Sequence, residues 1–271
     1  MRLSVGKAWS EARGVFARDG GLIATVALAL IVLPGVLVGL AAPATMRDPP
    51  AWVGPVSLLA GFLSLTGQLA ISRIALGPPL TVGAAIGVGF RRLPVFLGGA
   101  LLWAGPFLLV MIGLLAAAGA DLTNPAAPLP TPPVGVTLAL MLLMLLFLVV
   151  AVRMLLTTPA AAGSAMGPIA VVRHSWQASR GNLLRLLGLL LGVLLLGVVI
   201  VVGLGSAISS VVILTLGAPE PWNVSALLVA LIQQLLNAMF SVGLAVVVAR
   251  LYAQTTGEAA PIPDADAGAR S

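Results

Sequence analysis

From Val134 to Val152 the chain runs for 19 residues without a charged side chain. A hydrocarbon layer of about 30 Å takes roughly 20 helical residues to cross, and few folds are open to such a run. Lipid offers no partner to a backbone N–H or C=O, so the backbone must satisfy itself as a helix. Six predominantly apolar runs of spanning length occur, at about 21–42, 52–76, 94–119, 135–157, 183–208 and 224–250, with an arginine only near an end of four of them, and the fifth can continue toward 216. The expected fold is an all-α membrane protein with six transmembrane helices. Composition agrees: 60% of residues are hydrophobic and 8% charged, against about 25% charged in a soluble domain. Residues 1–253 read as one six-span membrane domain, and 254–271, rich in Pro, Ala, Gly and acidic residues, as a disordered cytoplasmic tail.

The small-residue pattern "GLAAPA" at 39–44 resembles a signal-peptidase site, but the basic segment and apolar stretch before it are both too long for a signal peptide. The first run reads as an uncleaved span. There is no cysteine, which excludes disulfides, thiolate chemistry and Cys-ligated metal sites. The net charge of +6 comes from basic residues flanking apolar runs. There they act as topology signals and contacts for anionic lipid rather than for nucleic acid. Thirteen of the 14 basic residues fall on one side of the six spans, with only Arg47 opposite. The positive-inside rule then places both termini in the cytoplasm of a bacterial inner membrane.

Two stretches repeat 167 residues apart: "VGKAWSEARG" at 5–14 and "VRHSWQASRG" at 172–181. A weaker third copy, "VGAAIGVGFRRL", occupies 82–93. Val5, Trp9, Ala12 and Phe16 align with Val82, Ile86, Gly89 and Leu93, and with Val172, Trp176, Ser179 and Leu183. Spacings of four, three and four place each set on one helical face. Each copy reads as a short amphipathic interfacial helix, at about 4–18, 81–93 and 167–181. The even-numbered spans end alike, on Arg73, Arg153 and Arg250, with Pro79 and Pro159 six residues after the first two. The expected unit is interfacial helix, span, loop and span, occurring three times as parallel hairpin repeats.

The arginine ending a span, the following proline and a Ser-Trp-x-x-x-Arg-Gly segment before the next span are here Arg153, Pro159, Ser175, Trp176, Arg180 and Gly181. This pattern resembles the integral-membrane domain of glycerophosphoryl diester phosphodiesterases and related stand-alone bacterial membrane proteins of unknown function. The resemblance covers about residues 3–253. One departure is "AAAGSAMGP" after Pro159, where relatives often carry an acidic residue. The resemblance implies no catalysis, because the family's chemistry belongs to a separate soluble barrel with paired histidines and acidic metal ligands. Only one histidine, His174, is present, and it reads as a solvated interfacial residue.

Acid–base and metal sites need clustered His, Asp or Glu, but Glu11, Asp19, Asp48, Asp121 and Glu220 are scattered, so no enzymatic activity, metal or cofactor is expected. Gln68 in span two and Gln233, Gln234, Asn237 and Ser241 in span six are polar but neutral, and read as interhelical hydrogen bonding before a polar solute path. The Gly35/Gly39 and Gly188/Gly192 pairs are weak signals in a chain with 31 glycines. The expected function is a non-enzymatic module that organises or regulates lipid or a protein partner at the cytoplasmic face. The candidate residues are Trp9, Arg13, Arg73, Arg91, Arg92, Arg153, Arg173, Trp176, Arg180 and Arg250. The alternative is a transporter component for a neutral or amphipathic solute. A single cysteine at Ala178, in a chain that has none of its own, tests the orientation: an impermeant maleimide should label it only after the cytoplasmic side is opened, and labelling of intact cells would reverse the topology.

Overall fold

The structure, a computed structural model, describes residues 4–43, 46, 50–77, 80–121 and 131–256. Pro79, Arg47 and residues 257–271 of the expected tail lie outside that set. The described residues form eight helices and no strand: α1 Val5–Ala41, α2 Val53–Leu76, α3 Val82–Ala117, α4 Val134–Met154, α5 Thr157–Gly163, α6 Pro168–Ala178, α7 Leu183–Leu216 and α8 Val224–Thr256. Six helical stretches, with α4 and α5 counted as one, are long and apolar enough to cross a membrane, as a multi-pass protein requires.

Boundaries differ from the sequence expectation where basic segments precede a span. The segments at 4–18 and 81–93 are not separate interfacial helices, because α1 and α3 run on unbroken into their spans. Ser4 caps α1 by accepting from the Lys7 N–H at 3.3 Å, and Thr81 caps α3 by accepting from Ala84 N–H at 3.3 Å. Only α6 stands apart. Pro168 begins it, and Gly181, at φ +77°, turns the chain out of it toward α7. The aligned Gly14 lies in mid-helix, so the shared Arg-Gly pair has a different job in each copy. The positions buried in the three segments nevertheless correspond: Ala8 and Ala12, Ala85 and Gly89, Ser175 and Ser179. This face sits one residue before the tryptophan positions aligned in the sequence.

Pro34 cannot donate to Leu30, and α1 widens to π geometry over Leu28–Val32, with Leu33 N–H reaching Leu28 O. A second π segment, Val198–Leu204, lies inside α7, which runs to Leu216.

The core lies where α1, α2 and α8 meet, and it contains Ile23, Leu69, Ile71, Val246, Leu251 and Tyr252. α3 packs on α2, α4 on α3, and α7 on both α4 and α8, while α5 tucks under the ends of α2, α3 and α8. With little hydrophobic drive between helices in lipid, close approach depends on small residues. A Cβ on Gly89 would sit 2.5 Å from the Thr66 carbonyl oxygen, and one on Gly39 2.8 Å from Ala230 Cβ. Gly35 closes on Gln234 in the same way, so the Gly35/Gly39 pair is a working contact between α1 and α8. Gly188 and Gly192 have the same spacing and face open space.

Gly89→Ala should therefore lower the thermal stability of detergent-purified protein by about 1–3 kcal/mol, since the backbone of α2 or α3 must shift. Gly188→Ala should leave it unchanged, and equal effects at the two positions would refute this packing.

Candidate functional site

Pro159 breaks the helix of the fourth span. Its ring takes the space of the carbonyl four residues back, and the chain turns at Leu155 and Leu156 before restarting as α5. A break in so apolar a chain frees carbonyls that need donors. Thr157 Oγ1 donates to Met154 O at 2.5 Å, and Ser175 Oγ on α6 donates to Arg153 O at 2.9 Å. Ser175 is fully buried, so α6 is anchored to the end of α4 through one hydroxyl. The next residue completes the clasp: the Arg153 guanidinium carbon lies 4.5 Å from the centroid of the Trp176 ring, a cation–π contact.

The outer face of α6, with Leu102 of α3, forms an open groove of 670 Å³ lined by Ile169, Val172, Arg173, Trp176, Gln177 and Arg180. Arg173 and Arg180 are exposed. Leu102, Ile169 and Val172 supply an apolar wall, and Trp176, held from behind by Arg153, is a fixed part of it. The groove thus has cations and an amide beside hydrocarbon, the chemistry of a site for an anionic amphiphile.

Of the ten residues expected to meet lipid or a partner, the groove gathers Arg173, Trp176 and Arg180, backed by Arg153. Trp9, Arg13 and Arg91 are exposed elsewhere, and Arg92 is half-buried. Arg73 is half-buried and folds its guanidinium back over Gly77. Arg250 is the exception to the expectation. It is 4% exposed, with Nε donating to Glu11 Oε2 at 3.0 Å and an Nη to the Ala75 carbonyl at 3.2 Å. Its charge is spent inside the protein, joining α1, α2 and α8. Ser4 and Gln254 exchange two further hydrogen bonds at 3.1 and 3.3 Å beside it.

The polar residues of the membrane interior divide. Gln233 donates to Ser209 of α7 at 3.3 Å, Gln234 lies on Gly35, and Ser241 donates to Ala238 O at 3.2 Å within its own helix. Gln68 is half-buried and Asn237 exposed. His174 is not the solvated residue expected: its ring stands edge-on to Tyr252 at 5.6 Å, and Nε2 is buried without a hydrogen-bond partner.

Sequence reading missed Glu11 as the partner of Arg250, and Ile169, Val172, Gln177 and Leu102 as groove wall. A signal for part of the groove was present, because Arg173, Gln177 and Arg180 at i, i+4 and i+7 share a helical face. Leu102 had none.

A family model described as a domain of unknown function (DUF7847) matches residues 3–255. No curated protein and no solved structure matches the chain.

Removing Arg250 leaves the Ala75 carbonyl without this donor and Glu11, which is partly exposed, with Lys7 at 3.8 Å as its remaining ionic partner. Arg250→Gln should therefore destabilise the purified protein by about 1–3 kcal/mol in thermal unfolding, less than breaking a fully buried pair costs. Glu11→Gln combined with Arg250→Gln should cost less than the two single changes summed, and strict additivity would show that the pair is not coupled.

Proposed function

The chain belongs to the DUF7847 family, whose description assigns no activity, and we propose that it is a non-enzymatic membrane module that binds and organises anionic phospholipid at its arginine-rich face. The observation that carries this reading is the α6 groove, which sets Arg173 and Arg180 against Leu102, Ile169 and Trp176. A phosphodiester needs charge-assisted donors, and the first carbons of its acyl chains need an apolar wall. The groove offers both within one site. Arginine suits the role because it holds its charge and presents a planar fork to phosphate oxygens.

On this reading the arginine-rich face is cytoplasmic and the membrane is a bacterial inner membrane, as the asymmetry of basic residues supports. The three basic segments are copies of one hairpin unit. The correspondence of Ala8, Ala85 and Ser175, and of Ala12, Gly89 and Ser179, as buried positions supports common descent. In two copies the segment became the start of a long span. In the third the turn at Gly181 parts it from the following span as α6, and a groove opens along its outer side.

Purified with native lipid and examined by native mass spectrometry, the protein should retain an anionic phospholipid. Arg173→Gln with Arg180→Gln should weaken retention by at least about tenfold, roughly one charge-assisted contact. Arg13→Gln, an exposed cation outside the groove, should leave retention unchanged. Equal lipid retention in all three proteins would remove the groove from the function.

A further inference from the structure

The cations of the groove are spaced in a way that selects among anionic headgroups. Arg173 lies in α6 and Arg180 seven residues on, in the tight turn just past Ala178 where its N–H bonds the Gln177 carbonyl, so at a helix-like rise their Cα atoms are about 10 Å apart. Gln177 lies between them on the same face, four residues after Arg173 and three before Arg180, and all three line the groove. The order across the site is cation, neutral amide, cation. Trp176 would give up its contact with Arg153 on swinging into the gap, which favours leaving the space between the two arginines open.

A headgroup with one phosphate presents one compact anion. It can pair with either arginine in its relaxed position, but reaching both requires the two long side chains to converge on one point past Gln177, against their mutual repulsion and at a cost in side-chain entropy. A headgroup with two phosphates joined by a short hydroxylated linker matches the spacing. Each phosphate takes one guanidinium, and the linker hydroxyl faces the Gln177 amide, which can donate or accept. The apolar wall of Leu102, Ile169 and Val172 runs beside this row and receives the acyl chains.

Resting on the lipid reading above, we infer that the α6 groove is a site for a diphosphate phospholipid, with Arg173 and Arg180 each holding one phosphate and Gln177 the linker between them. The preference is a property of the pair of arginines, so the loss of either one removes it.

The test uses the full chain in nanodiscs of zwitterionic lipid doped either with a single-phosphate glycerol headgroup lipid or with a glycerol-bridged diphosphate lipid, matched for total phosphate charge. Bound lipid is counted by native mass spectrometry. The expected result is a preference of about tenfold for the diphosphate lipid, the equivalent of one added charge-assisted contact. Arg173→Gln and Arg180→Gln should each erase the preference, bringing binding of the diphosphate lipid down to that of the single-phosphate lipid in the same variant. If both lipids bind equally and the double variant loses both, the two-phosphate inference fails and the anionic-lipid reading stands. If neither lipid binds better than the zwitterionic background, both readings fail together. Circular dichroism of each variant confirms its helix content, and the exposed side chains replaced here contribute little to the packing.

Discussion

A guanidinium carried into an apolar body must find an anion or carbonyl oxygens, because an isolated buried charge is far too costly to persist. Arg250 meets that demand with Glu11 on one side and the Ala75 carbonyl on the other. The first, second and last spans therefore have to converge at the arginine-rich end. Gly39 on Ala230 and Gly35 on Gln234 then close α1 against α8 farther along. Everything else hangs on that three-helix core: α3 rests on α2 through Gly89, and α7 rests on α8 through Gln233 and Ser209.

The groove follows from a second demand of the same kind. Pro159 breaks a helix where water is scarce, and the freed carbonyls recruit Thr157 and Ser175. Ser175 brings α6 with it, and Trp176 follows onto Arg153. The residues on the far side of α6 are then turned outward as a set. A structural repair thus exposes Arg173, Gln177 and Arg180 together, which is why the Ser-Trp-x-x-x-Arg-Gly segment has both a packing half and a surface half.

Sequence features that look alike came to different ends, and the reason is the same each time. Gly35 with Gly39 and Gly188 with Gly192 share letters and spacing, yet only the first pair meets another helix. Arg73, Arg153 and Arg250 occupy equivalent places at the ends of three spans. One folds back over Gly77, one stacks on a tryptophan, and one is buried in an ion pair. His174 sits beside Arg173 on an amphipathic segment, as a solvated residue would, but α8 brings Tyr252 against its ring. None of these outcomes is written in the local pattern, because each depends on which helix arrives as neighbour.

The sequence alone determined that the chain is helical and how many long apolar helices it contains, along with the stretch where Pro159 ends one. These are local matters, since a backbone in lipid satisfies its hydrogen bonds within its own segment and a proline withholds its N–H wherever it stands. Only the tertiary structure decided which cations remain free to meet a ligand and which are consumed in holding the fold. Glu11 and Arg250 are separated by 239 residues, and no periodicity spans that distance. Whether a charge is neutralised depends on a partner within a few ångströms, and that partner is supplied only when the helices pack.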